Sequence, residues 1–114
     1  MIISWQVYND DNLTIDEENV KIIKENNLLI YNDDYGKHEI DLQEKTYQKV
    51  NGDEIFRIDF LKNTLYVAFD AQNFTFDIEA NYQDDGQIII MEYALGDNKN
   101  KIVITRKEEI WKSY

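Results

Sequence analysis

Short runs of alternating apolar and polar residues recur along the chain. Near the N-terminus, Ile3, Trp5 and Val7 alternate with Ser4 and Gln6. Alternation with a period of two residues is typical of β-strands that bury one face. It returns in three later runs, with apolar positions at Phe56, Ile58 and Phe60, at Leu65, Val67 and Phe69, and at Phe74, Phe76 and Ile78.

A different pattern marks the C-terminal third of the chain. Four apolar residues follow one another from Ile88 to Met91. A short continuous apolar run predicts a strand that is covered on both faces. Residues 102–105 are predicted to form the strand that pairs with it.

The segments between the runs are short and rich in turn-forming residues. Asn51-Gly52 is the strongest hairpin signal, because both residue types tolerate positive φ in a tight turn. Parallel pairing would need crossovers of a dozen or more residues, so neighbouring strands are expected to pair antiparallel. Further reversals are predicted at residues 62–63, 71–73, 84–86 and 96–98.

Residues 15–31 fit two structures. Thr14-Ile15-Asp16-Glu17 matches a helix capping box, which predicts a short helix over residues 15–25. The alternative is a hairpin in which residues 20–23 and 28–31 flank a turn at residues 25–27. The β-branched residues of this segment favour the hairpin slightly.

These elements predict a single all-β domain spanning residues 1–114. About eight strands in sequential hairpins, with at most one or two short helices, form an antiparallel up-and-down meander. Closure into a small barrel would remove the exposed sheet edges. No long crossover is available for a Greek-key sandwich, and no internal repeat is evident in the sequence.

Two residues near opposite termini carry a resemblance to a known group of proteins. Trp5 lies in the first predicted strand and Arg106 follows the last one. This placement resembles that of the calycins, the lipocalin-like β-barrels, and residues 74–105 resemble an uncharacterised lipocalin-like family of low-GC bacteria. The resemblance implies that the Arg106 guanidinium stacks on the Trp5 indole across one end of the barrel.

Composition narrows the classes of partner and location. The formal net charge is −11, from 23 acidic and 12 basic residues, which disfavours direct binding to nucleic acid or to anionic membranes. The chain has no cysteine, no apolar run of membrane-spanning length and no signal-peptide pattern at its start. We therefore expect a cytoplasmic protein, and the sequence does not indicate its oligomeric state.

No motif in the sequence predicts catalysis, a metal or a cofactor. His38 is the only histidine, and neither Ser4 nor Ser113 lies on a recognisable nucleophile turn. We interpret His38 as a solvated strand residue opposite a carboxylate. The acidic loops lack the spacing of a calcium-binding loop and are interpreted as tight turns.

Two hypotheses of function remain, and neither is enzymatic. In the first, a lipocalin-like barrel holds a small apolar ligand, unless the aromatic residues fill the interior completely. In the second, the protein is an acidic interaction module, such as an immunity protein or a phage-encoded inhibitor, that binds a basic nuclease or another nucleic-acid-binding protein. The candidate ligand-binding residues are Trp5, Phe56, Phe60, Phe69, Phe76 and Arg106, and the candidate partner-binding residues are Asp33, Asp34, Tyr35, Tyr82, Asp84 and Asp85.

Overall fold

The computed structural model describes residues 1–107, which form β-strands joined by turns. Within this range there is no helix, and so none that could cross a membrane. The strands are β1 (Ile2–Asn9), β2 (Asn12–Lys21), β3 (Ile23–Glu25), β4 (Leu28–Asp33), β5 (Gly36–Asp41), β6 (Thr46–Asn51), β7 (Glu54–Asp59), β8 (Thr64–Phe69), β9 (Gln72–Asp77), β10 (Glu79–Asp84), β11 (Ile88–Leu95) and β12 (Asn98–Lys107).

The strands form two antiparallel sheets. The seven-stranded sheet contains β3 to β9 in chain order, and the five-stranded sheet has the order β10-β11-β12-β1-β2. The chain passes between the sheets at two buried bends, Ile22 between β2 and β3 and Ile78 between β9 and β10. The antiparallel meander is confirmed, but within residues 1–107 the ladders form two sheets and no closed barrel is found.

The hairpin alternative is the correct one for residues 15–31. The segment forms β2, β3 and β4, with a tight turn at Asn26 and Asn27. The helix prediction is wrong because the Thr14 hydroxyl does not cap a helix; it donates a hydrogen bond to the carbonyl of Val7 on β1. The expected number of about eight strands was too low, because residues 1–107 form twelve. Residues 108–114 lie outside the described part of the chain.

Two local predictions need correction. Asn51 is the last residue of β6 and pairs with Glu54, so the tight turn consists of Gly52 and Asp53, with positive φ at Gly52 only. The apolar run in β11 is buried on one face, not two. Ile89 and Met91 are fully buried there, whereas their neighbours in the run are only half-buried.

An internal repeat organises the seven-stranded sheet, so the prediction that the sequence contains none is wrong. Three backbone hydrogen bonds join Leu42 to Asn27, Phe60 to Lys45 and Ile78 to Asn63, so donor and acceptor each advance by 18 residues from one bond to the next. The repeated unit is one hairpin, and part of its sequence recurs with it. Asp41, Asp59 and Asp77 stand at equivalent positions, and the carboxylates of Asp41 and Asp59 each accept two hydrogen bonds from the backbone of the turn that follows.

The core lies between the two sheets and is built from the inward side chains of both. Trp5 and Ile3 from the five-stranded sheet and Ile40 and Ile58 from the other are almost completely buried. The smaller sheet has fewer strands and does not cover the whole inner face of the larger one. Three phenylalanines that were predicted to point inward remain partly exposed to solvent. Their exposed fractions are 41% for Phe69, 43% for Phe74 and 40% for Phe76.

Gly36 is a position where the fold requires glycine. A Cβ atom there would lie 2.4 Å from the carbonyl oxygen of Val50, and its φ is +129°. We expect Gly36→Ala to lower the free energy of unfolding by about 3 kcal/mol or more. Gly52→Ala, at a φ of +58° with no atom within 4 Å, should cost only about 1 kcal/mol. Urea unfolding measures both, and equal losses would contradict the close approach of β5 to β6.

Candidate functional site

A buried hydrogen-bonded network links three strands of the seven-stranded sheet. His38 on β5 is 3% exposed; its Nε2 lies 2.7 Å from Asp33 Oδ1 and its Nδ1 lies 2.7 Å from the Tyr47 hydroxyl. The tight turn between β4 and β5 positions the carboxylate, because Asp33 Oδ1 also accepts a hydrogen bond from the backbone N–H of Tyr35. The prediction of a solvated histidine is therefore wrong.

The environment fixes the protonation state of this network. Burial alone would raise the pKa of Asp33, but hydrogen bonds from His38 and from the Tyr35 backbone hold it below its ordinary value. Burial lowers the pKa of His38, despite the opposing influence of Asp33. A neutral imidazole that donates to a carboxylate carries its hydrogen on Nε2, so Nδ1 accepts from the Tyr47 hydroxyl.

Glu17 on β2 extends the network from the opposite sheet. Burial raises the pKa of Glu17, and a hydrogen bond with Asp33 and the charges of Asp33 and Asp34 raise it further. Glu17 Oε1 and Asp33 Oδ2 are both buried without another partner among residues 1–107. A proton held on Glu17 and donated to Asp33 would give both oxygens a partner, in agreement with the raised pKa of Glu17 and the lowered pKa of Asp33.

Aromatic rings surround the network. The Tyr31 ring stacks on the imidazole of His38 with 4.4 Å between centroids and 8° between planes. Trp5 packs edge-on against Tyr31 at 4.9 Å and lies 5.9 Å from the ring of Tyr47. The indole therefore covers the polar network and joins the two sheets at this point.

A small cavity lies beside this cluster. It has a volume of about 170 Å³ and is lined mainly by apolar and aromatic side chains, among them Trp5, Ile15, Phe56 and Tyr93. The Trp5 Nε1–H is buried and has no hydrogen-bond acceptor among residues 1–107. Leaving a buried donor without a partner costs about 1–3 kcal/mol, so an acceptor inside the cavity would stabilise the structure.

The cavity continues into an open groove at the end of the seven-stranded sheet. The groove has a volume of about 380 Å³ and shares Tyr35, Lys49 and Phe56 with the cavity. Asp34 and Glu54 also line it, and both are exposed to solvent. The mouth of the cavity is therefore polar and mostly acidic, whereas its inner wall is aromatic.

The structure separates the candidate ligand-binding residues. Trp5 and Phe56 line the cavity, while Phe60 is buried elsewhere, against Tyr82 at 5.8 Å. Phe69 lines the outer groove and Phe76 belongs to the exposed part of the sheet.

Arg106 does not stack on Trp5. Among residues 1–107 the cations above aromatic rings are Lys45, Lys49, Arg57 and Lys101. The guanidinium of Arg106 instead donates two hydrogen bonds of 3.0 Å to the carboxylate of Asp84 on β10. A bidentate carboxylate is the stronger partner for arginine, and this pair lowers the pKa of Asp84.

The candidate partner-binding residues do not form one exposed acidic set. Asp33 is buried against His38, Tyr82 is half-buried, and Asp84 is paired with Arg106. Asp34, Tyr35 and Asp85 are exposed, and the Asp85 carboxylate accepts hydrogen bonds from the backbone of its own turn.

Sequence reasoning missed three residues of the site. Glu17 lies in the segment that also fits a helix, and no sequence motif distinguishes Tyr31 or Tyr47 from the other six tyrosines of the chain. The useful signal was cross-strand pairing, because Tyr31 lies directly opposite His38 in the ladder of β4 and β5. That pairing requires the register of the hairpin, which the sequence did not provide.

No family model, curated protein or solved structure matches this chain. Within residues 1–107 no group of three or more histidine, aspartate or glutamate residues is placed to hold a metal ion. The site is therefore interpreted from its own geometry.

Removing the Tyr47 hydroxyl should leave His38 Nδ1 buried without a donor. We expect Tyr47→Phe to lower the free energy of unfolding by about 1–3 kcal/mol. Tyr66→Phe is the matched control, because that ring lies on the outer face of the sheet near Arg57. Denaturant unfolding measures both variants, and a loss no larger than that of the control would contradict the buried network. In the wild type, long-range ¹H–¹⁵N spectra should show His38 protonated on Nε2.

The raised pKa of Glu17 predicts a pH-dependent stability. In the unfolded chain Glu17 ionises near 4.5, whereas the folded protein keeps it protonated to higher pH. The contribution of protonated Glu17 to the free energy of unfolding is therefore present at low pH, and it is lost as the pH rises through the pKa that Glu17 has in the folded protein. Glu17→Gln keeps a neutral donor, so its stability relative to the wild type should increase as the pH rises above 4.5, where Glu17 ionises in the unfolded chain. Glu18→Gln, on the exposed side of β2, should show no such trend in thermal unfolding.

Proposed function

We propose that the protein is a non-enzymatic binding protein that holds a small planar ring in the cavity beside Trp5. The observation that carries this proposal is a mostly apolar cavity lined by the Trp5 ring, whose buried Nε1–H has no acceptor among residues 1–107. The ligand supplies that acceptor. In this proposal the space between the two sheets holds a small ligand, as the interior of a calycin barrel does.

The size of the cavity limits the ligand to a single ring. A dry apolar cavity of about 150 Å³ accepts benzene, and the volume here is about 170 Å³. Larger ligands would extend past Tyr35 and Lys49 into the outer groove. Aromatic walls formed by Phe56 and Tyr93 favour a planar ring, because aromatic pairs gain energy in stacked and edge-to-face arrangements.

The charges around the cavity favour a neutral ligand. The protein carries a net charge of −11, and Asp34 and Glu54 stand at the mouth of the groove, so anions are repelled. Burial raises the pKa of Tyr93 to about 12, which keeps its hydroxyl protonated as a second donor near neutral pH. The supported ligand is a neutral ring with a carbonyl or similar oxygen.

The hydrogen bonds of the network support binding without catalysis. Both ring nitrogens of His38 have partners, Asp33 on one side and Tyr47 on the other. These two protein partners hold the imidazole in one orientation and leave neither nitrogen free to hydrogen-bond a ligand. The network therefore acts as a rigid wall for the cavity.

Benzamide is a suitable probe, because it combines one ring with a carbonyl acceptor. We expect it to shift the indole N–H resonance of Trp5 in ¹H–¹⁵N spectra, with a dissociation constant of about 1 mM. Toluene, a ring of similar size without an acceptor, should bind about 2–10-fold more weakly. A Trp111→Phe background assigns the indole signal, since the chain has two tryptophans.

A cavity-filling variant separates binding in the cavity from binding elsewhere. Ile15→Phe enlarges a lining residue and should abolish the response to benzamide. Leu13→Phe is the control, because Leu13 is exposed on the same strand and does not line the cavity. Saturable binding that persists in Ile15→Phe, or no shift in the wild type at millimolar benzamide, would contradict the proposed function.

A further inference from the structure

Three phenylalanines form an exposed aromatic face at the edge of the seven-stranded sheet. Phe69, Phe74 and Phe76 are each about two-fifths exposed, and neighbouring rings lie 6.0 and 6.4 Å apart. They share the inner face of the sheet with Val67 on β8. Exposed aromatic clusters of this kind mark interaction surfaces.

The same residues border a free strand edge. β9 is the last strand of its sheet, and every one of its six residues is exposed. Exposed edges are normally protected by bulges, prolines or lysines, whereas the β8–β9 ladder is regular and β9 contains neither proline nor lysine. An unprotected edge next to an apolar face is suited to adding another strand.

The turn between β8 and β9 determines which backbone groups point outward. Asp70 and Ala71 both have positive φ and form a two-residue loop, so Phe69 and Gln72 are a hydrogen-bonded pair. Hydrogen-bonded pairs alternate along an antiparallel ladder. The backbone N–H and C=O groups of Asn73, Thr75 and Asp77 therefore point to the free edge.

The charge distribution identifies the partner. No lysine, arginine or histidine occurs between Lys62 and Lys99, a segment that includes β8 to β11. The same segment contains seven acidic residues: Asp70, Asp77, Glu79, Asp84, Asp85, Glu92 and Asp97. Asp70, Asp77 and Glu79 lie on β9 or next to its ends, whereas Asp84 is paired with Arg106 and Glu92 lies opposite Lys101 on β12. A second copy of this chain would bring two such segments together, which like charges oppose, whereas a basic chain is attracted.

We propose that β9 is a docking site for an extended basic segment of a partner protein, which adds a strand to the free edge. Apolar side chains of the added strand cover Phe74 and Phe76. Its basic side chains lie on the opposite face, beside Thr75 and the carboxylate of Asp77. No residue of β9 lines the cavity beside Trp5 or the outer groove, although Phe69, which precedes the turn to β9, lines the groove.

A synthetic peptide tests the docking site directly. The probe is acetyl-Lys-Val-Lys-Val-Lys-Val-amide, whose alternation matches the two faces of β9, and the control is the same peptide with glutamate in place of lysine. We expect the basic peptide to bind at least tenfold more tightly by calorimetry and to slow hydrogen exchange at the amides of Asn73 and Thr75. Raising the salt concentration should weaken its binding.

Two independent changes test strand addition. Thr75→Pro removes an outward N–H and should reduce binding at least tenfold, whereas Thr75→Ala should retain it. Two N-methylated peptides test strand addition even if the proline variant does not fold. Every second backbone N–H of the added strand faces β9, so these groups belong either to the valines or to the lysines of the probe. Methylation of the set that faces β9 should weaken binding to the wild type at least tenfold, and methylation of the other set should not.

Three results would overturn the proposal. The first is equal binding of the basic and acidic peptides. The second is full binding by both N-methylated peptides, which would show contact through side chains alone. The third is a concentration-dependent dimer of the protein that Thr75→Pro abolishes, which would make a second copy of this chain the occupant of the edge.

Discussion

The burial of one histidine between two hydrogen-bonding partners is the constraint on which the rest of the site depends. His38 can be buried because Asp33 and Tyr47 satisfy both ring nitrogens, at 2.7 Å each. That arrangement requires the tight turn before β5, and it gives Trp5 a flat surface of rings to pack against. The cavity lies beside that surface, so its shape follows from the same hydrogen bonds.

The strands whose burial alternates were the predictable part of the fold. β1, β7 and β8 each follow a clear period-two pattern, and the structure confirms them. β10 was missed because Glu79 to Asp84 contains only two apolar residues, Ala80 and Tyr82. The division into two sheets could not be predicted from the sequence either. The chain bends from one sheet to the other at single isoleucines, Ile22 and Ile78, and no turn-forming residue marks these positions.

The site was less predictable than the fold, because its members lie far apart in sequence. His38 stands between Lys37 and Glu39, so its sequence neighbours suggest a solvated strand. Its real environment comes from Trp5 and Tyr47, which only the tertiary pairing brings close. Asp33 was selected for its acidity, but the turn directs its carboxylate inward, where it serves the network.

A high-resolution crystal structure of the purified protein would show, through the density beside the Trp5 indole, whether the cavity holds a ligand. We expect a connected planar feature in the cavity, with an acceptor atom about 3 Å from Nε1. A cavity closed by side chains, with Nε1 donating to a protein carbonyl or only to isolated waters, would contradict it.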